Sequence, residues 1–105
     1  MRSNLILTGG INHDFVDTAH AIADVLADAQ FRSTVIDDLS EGFELLASTK
    51  FDLITLFALR WRMLDDDKYI PDRARWAYEI SERDRHTLAK HVANGGGLLG
   101  LHTAA

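Results

Sequence analysis

The hydrophobic pattern of this chain switches between short apolar runs and three-to-four-residue periodicity, and the two take turns from one end to the other. Asn4 to Thr8 (NLILT) is a short apolar run stopped by Gly9-Gly10, which suits a buried parallel strand. From Asp14 to Gln30 the apolar residues Phe15, Ala19, Ile22, Leu26 and Ala29 recur at helical steps and predict an amphipathic helix. Arg32 to Ile36 is a second strand, rich in β-branched residues. Ser40 is placed to cap a short helix through Ser48 that packs by Phe43, Leu46 and Ala47. Phe51 to Leu59 (FDLITLFAL) is the third and most apolar strand. After an irregular stretch from Arg60 to Ile80, Ser81 with Asp84 three residues on opens another helix. That helix turns Leu88 and Val92 inward and ends at Asn94-Gly95, before a fourth strand at Leu98 to Leu101.

Strands alternating with helices imply right-handed crossovers and one parallel sheet covered on both faces. The expected fold is therefore α/β, a three-layer sandwich on a flavodoxin-like sheet with strand order 2-1-3-4. The fourth strand sits awkwardly in that order. Its GLLGL has no polar alternation and asks to be covered on both faces, yet it falls at an edge with unpaired backbone groups. The expectation is an incomplete domain: either downstream sequence completes it, or another chain pairs with strand four.

Composition narrows the function classes. The 105 residues suffice for one small domain, and with 47% of them hydrophobic a packed core is expected. There is no cysteine, so disulfides and thiolate metal sites are excluded. The formal net charge is −5 and no basic run occurs, which disfavours nucleic acid and anionic membranes as partners. The amino-terminal MRSNLILTGG reads as a strand and not as a signal peptide, and no run approaches a membrane span. A cytoplasmic protein is the default.

Ligands of open α/β sheets bind beyond the carboxyl ends of the strands, and four clusters fall there. GGINHD follows strand one, Asp37-Asp38 strand two, RWR strand three and HTAA strand four. Gly9 and Gly10 would let a ligand approach the backbone, with Asn12 and His13 beside it; alternatively the glycines only turn the chain, and Asn12 or Asp14 caps the helix. The third glycine of the dinucleotide fingerprint is absent. In GLHTAA, His102 occupies the nucleophile position of an elbow-like turn, followed by Thr103. An imidazole there can serve as acid, base or ligand near neutral pH, or can merely satisfy a turn. His13 and His102 would stand on strands roughly 10 Å apart, twice the interstrand spacing. Two histidines fall short of a zinc site, so no metal is assigned and the cofactor is left open.

Arg60 could bind a carboxylate or phosphate and Trp61 could stack on a sugar ring; the alternative makes Trp61, Tyr69 and Trp76 packing anchors. The 60–80 stretch is long for a loop, so it is either functional or partly helical. His20, His86 and His91 lie on predicted helices and are left out of the site.

LTGGINHDF near the start and HVANGGGLLGLHTAA at the end, joined by a strand of the form FDLITLF, resemble the trehalose-utilisation (ThuA-like) family of the class I glutamine amidotransferase-like superfamily. The resemblance covers residues 1–105 but only about the first half of a typical family domain, so the chain reads as its N-terminal portion. It implies a flavodoxin-like fold and a role in catabolism of a disaccharide or its keto derivative. His102 stands where the amidotransferase relatives carry Cys, and His13 matches the family's first histidine. The residues then expected to act are His102 and His13 in catalysis, and Gly9, Gly10, Asn12, Arg60, Trp61 and Thr103 in binding a small carbohydrate. The alternative is a non-catalytic sugar-binding module, or a fragment that self-associates through strand four.

Overall fold

The four apolar runs form four parallel strands, and a computed structural model describes them and their connections over residues 1–101. The strands are β1 (Arg2–Gly10), β2 (Phe31–Ile36), β3 (Leu53–Leu59) and β4 (Gly97–Gly100), in the order β2-β1-β3-β4. The helices are α1 (Phe15–Asp28), α2 (Leu39–Ser48), α3 (Ile70–Trp76) and α4 (Glu82–Ala93). The α/β class, the all-parallel sheet and the 2-1-3-4 order are as expected. Each strand after β1 is reached through a helix, because a parallel neighbour cannot be joined by a tight turn.

Pairing places Leu5 beside Ile54, Leu7 beside Leu56 and Gly9 beside Ala58, so these residues share one face of the sheet. On that face Leu5, Leu7, Ile54 and Ala58 form the main core with Leu39, Phe43 and Leu46 of α2 and with Phe51. The other face carries Asn4, Ile6 and Thr8 of β1 and receives Phe15 and Ala19 of α1, all buried. Its polar residues are paired across three strands. Asn4 Nδ2 donates to Ser33 Oγ (2.9 Å), and Thr55 Oγ1 donates to Asn4 Oδ1 (2.9 Å). At the amino end of the sheet, the Ser3 N–H and hydroxyl donate to Asp52 Oδ2, while the Asp52 N–H returns a bond to the Ser3 carbonyl.

Four local expectations are corrected. The cap of α2 is Asp38 and not Ser40, because the Asp38 Oδ1 accepts from the Glu41 N–H (3.1 Å); the helix therefore begins at Leu39, two residues earlier than a Ser40 cap implies. Ala47 is exposed and does not pack under α2. Val92 is 47% exposed, because the stripe that α4 turns inward is Asp84, Thr87, Leu88 and His91. Strand β4 is not covered on both faces: its burial alternates, and Leu98 is 48% exposed at the edge of the sheet. The Ser81 cap is as expected, its Oγ accepting from the Asp84 N–H (3.0 Å). No helix among the described residues is long and apolar enough to cross a membrane.

Candidate functional site

In this strand order the chain leaves β1 toward α1 on one face and leaves β3 toward α4 on the other. The carboxyl ends of β1 and β3 therefore border the crevice where ligands of such sheets bind. Gly9 and Gly10 form its β1 wall, opposite Ala58 and Leu59. Both glycines adopt left-handed φ (117° and 138°), which side chains rarely tolerate. The close approach they permit is made by the protein itself. A Cβ on Gly9 would lie 2.7 Å from Trp76 Cζ3, 2.9 Å from Arg60 Nη2 and 2.9 Å from the Asp37 carbonyl oxygen.

Arg60 continues β3 on the same face as Ala58, so its guanidinium reaches over the end of β1. Nη2 donates to the Asp37 carbonyl, and Nη1 to the carbonyls of Arg75 (3.3 Å) and Trp76 (3.5 Å). The guanidinium also stacks on the Trp76 ring at 4.5 Å, and Arg75 lies 4.4 Å from the same ring. Arg75 pairs with the Asp37 carboxylate (3.4 Å). Burial lowers the Arg60 pKa, opposed by the Asp38 and Asp37 carboxylates; the group stays cationic at neutral pH. Arg60 thus ties the ends of β2 and β3 to the end of α3.

The 60–80 stretch is partly helical. Asp66 caps a 3₁₀ turn at Asp67–Tyr69, and Pro71 sits in the first turn of α3, where a missing N–H costs nothing. Met63 is buried with φ 60°, and its carbonyl accepts from Arg73 Nε (2.7 Å). Helix α3 itself buries no side chain. Arginine bonds to carbonyls and stacking on Trp76 hold α3, while Met63 is buried and Tyr78 and Ile80 pack against the main core.

Trp61 points elsewhere. Its Nε1 donates to Asp65 Oδ1 (2.9 Å), its ring meets Tyr69 edge-on at 5.0 Å, and its carbonyl accepts from the Tyr78 N–H (2.9 Å). Asn12 takes a left-handed turn (φ 72°), which its short polar side chain tolerates. His13 is exposed and stands edge-on to Phe15 at 5.5 Å, and Phe15 in turn packs on Phe57 at 5.0 Å. Asp14 is the residue before α1, but its side chain makes no capping bond.

The structure therefore brings Gly9 and Arg60 together with Asp37, which is expected beyond the end of strand two, and adds Arg75 and Trp76, which the sequence reading does not place in the crevice. His13 and Trp61 lie at its margins among aromatic neighbours. His102 and Thr103 lie outside the described residues; Leu101 ends the described chain with its N–H bonded to the Leu56 carbonyl (3.0 Å). No group of three or more His, Asp or Glu residues suited to a metal occurs among the described residues. Comparison with protein-family models, with curated proteins and with solved structures finds no match for this chain.

Proposed function

We propose that this chain is a carbohydrate-catabolism protein of the trehalose-utilisation type, taking a disaccharide or its keto derivative at the carboxyl edge of the sheet. The observation that supports it best is the convergence of Gly9, Gly10 and Arg60 at the crevice between β1 and β3. Because Arg60 and Trp76 lie over Gly9, the sugar would enter on the side of Gly10, Asn12 and His13. Asn12 and His13 are exposed there, and the Asn12 amide can bond sugar hydroxyls. His13 and His102 would supply acid or base chemistry near neutral pH. In this reading the chain is cytoplasmic, and the open outer edge of β4 is where a second copy would pair.

A keto-disaccharide assay tests the catalytic form. His102→Ala should abolish turnover and His13→Ala should reduce it; turnover unchanged by His102→Ala in a confirmed active preparation refutes it. The second reading, a binding module without catalysis, is favoured by the use of the Arg60 Nη donors on the protein's own carbonyls. It predicts heat of binding by calorimetry with no substrate consumed. Absence of binding to both native and oxidised disaccharides overturns the sugar assignment altogether.

A further inference from the structure

The sheet has two outer strands, and their edges differ. Strand β2 carries an exposed charge, Arg32, of the kind that discourages a further strand from pairing. Strand β4, with the sequence GLLG, carries neither a charge nor a proline. Its outward groups follow from its pairing with β3. The Gly97 N–H donates to the Asp52 carbonyl (2.9 Å) and the Leu101 N–H to the Leu56 carbonyl (3.0 Å), in a parallel register that sets Gly97 beside Leu53 and Leu99 beside Thr55. Residues alternate along such a ladder. Gly97, Leu99 and Leu101 therefore face β3, while Leu98 and Gly100 turn both N–H and C=O outward. No described strand stands there to take them.

Apolar side chains flank this edge. Leu98 lies on the sheet face of Ile54, which α2 and α4 cover, and is 48% exposed. Val92 of α4 is 47% exposed. Thr87, His91 and Asn94 line the cavity between α4 and α2, and Val92 stands at least ~100° round the helix from each of them. It is therefore on the flank turned from α2. Helix α2 lies over β1 and β2 and α4 over β4, so that flank looks to the open edge. A Cβ on Gly100 would meet nothing within 4 Å among the described residues, so the space over it is free.

We propose that β4 pairs antiparallel with β4 of a second copy about a twofold axis at Leu99, joining two four-stranded sheets into one. The pairing extends the β4 association in the reading above, on which it rests, by fixing strand direction and register. The occupant follows from self-complementarity. Antiparallel pairing about Leu99 sets Leu98 opposite Gly100 of the second copy, and Gly100 opposite its Leu98. Each of these pairs exchanges both N–H···O bonds, so every outward group of Leu98 and Gly100 is used. Each Leu98 side chain then has the free space over the other copy's Gly100 to fill. With α4 lying over the β3–β4 pair, two interstrand spacings of ~4.8 Å separate it from its copy, close to the ~8–10 Å at which helices pack. Val92 would then lie between the two helices. One short ladder and one helix flank make a small interface, so the dimer is a weak one.

Sedimentation equilibrium of the 105-residue chain from ~10 µM to ~1 mM should show a monomer–dimer equilibrium and nothing larger, because the twofold closes the edge. Amide exchange by ¹H–¹⁵N NMR at both ends of that range reads the register. The Leu98 and Gly100 amides should slow severalfold at the higher concentration, and those of Leu99 and Leu101, already bonded to β3, much less. Gly100→Pro removes one outward N–H and no bond to β3, a place where an edge strand tolerates proline. It should weaken the dimer by about tenfold or more while the spectrum stays dispersed. Leu98→Lys, at an exposed side chain, should weaken it by about as much through charge. A monomer at every concentration, a dimer equally tight in both variants and the parent, or Leu98 and Gly100 amides that exchange alike at the two concentrations would each overturn the proposal. All three would leave the sugar reading standing, since calorimetry at the crevice decides that separately.

Discussion

Replacing Gly9 by Ala probes the crevice at its tightest point. Two costs add. The φ of 117° lies outside the range an alanine adopts without strain, which costs about 1–3 kcal/mol. The new Cβ would also press on Trp76 Cζ3 at 2.7 Å and on Arg60 Nη2 and the Asp37 carbonyl oxygen at 2.9 Å. Overpacking of this kind costs a further ~1–3 kcal/mol. The sum of about 2–6 kcal/mol is a large share of the ~5–15 kcal/mol that holds a domain of this size folded. Urea denaturation measures it as a lower midpoint with an unchanged slope. A double-mutant cycle separates the parts. Trp76→Leu removes the ring but not the φ strain, so Gly9→Ala should cost ~1–2 kcal/mol less in that background than in the parent. Gly100→Ala, where a Cβ meets nothing within 4 Å among the described residues, is the control and should stay within about 0.5 kcal/mol of the parent. Costs of Gly9→Ala and Trp76→Leu that add within about 0.5 kcal/mol would refute the reasoning, because the ring could not then be resting on Gly9.

Two further substitutions test the frame that carries the crevice. Thr55→Val alone leaves Asn4 Oδ1 buried without its donor, and Asn4→Leu alone strands the Thr55 hydroxyl; each should cost ~1–3 kcal/mol in urea melts, whereas the pair together should cost less than either alone. Additive costs would mean that this hydrogen bond is not the link. Hydrogen bonds from the Ser3 N–H and hydroxyl hold the Asp52 pKa below its ordinary 3.8, against a smaller opposing effect of burial. A depressed folded pKa contributes stability at pH above 3.8 and loses it as pH falls through the lower folded value. The stability gap between the parent and Asp52→Asn should therefore be present at pH 6, narrow below pH 3.8, and shrink with added salt, the site being exposed. A gap that is constant from pH 6 to pH 2 counts against the Ser3 contact.

The sheet was legible because its causes are local. Runs such as Leu5-Ile6-Leu7 and Leu53 to Leu59 carry no polar alternation, and the intervening helical stripes leave parallel pairing as the simplest connection. Smaller errors came from choices that one residue decides. Asp38 and Ser40 are both able to cap α2, and it is the Asp38 carboxylate that meets the Glu41 N–H. The inward stripe of α4 includes Asp84 and His91, each fixed by a partner remote from any periodicity. Tyr78 bonds Asp84, and the His91 ring bonds the Gly97 carbonyl (2.8 Å), which places the proton on Nε2. The least legible part was residues 60–80. Its contacts are arginine to main-chain carbonyl and arginine to indole, and a carbonyl is the same at every position of a sequence. The run of Arg60, Arg73 and Arg75 among Trp61, Tyr69 and Trp76 was visible, but the pairing of Trp76 with Arg60 and Arg75 was not.

Arg60 is where the crevice and the 60–80 segment meet, and this shapes how the crevice is to be tested. Its Nη atoms hold carbonyls of Asp37, Arg75 and Trp76, while its Nε is buried without a hydrogen-bond partner among the described residues. Substituting Arg60 removes the clamp and the recognising charge together. Lysine would keep the charge but could not repeat the planar fork that reaches three carbonyls at once. A loss of ligand binding in such a variant follows equally from a displaced segment and from a missing donor. The informative perturbations therefore leave Arg60 in place and change what stands on one side of it. Gly9→Ala presses on the crevice side and leaves the guanidinium itself unchanged. If it weakens sugar binding while the spectrum stays dispersed, the clamp and the crevice act as one unit; unchanged binding beside a lower stability separates them.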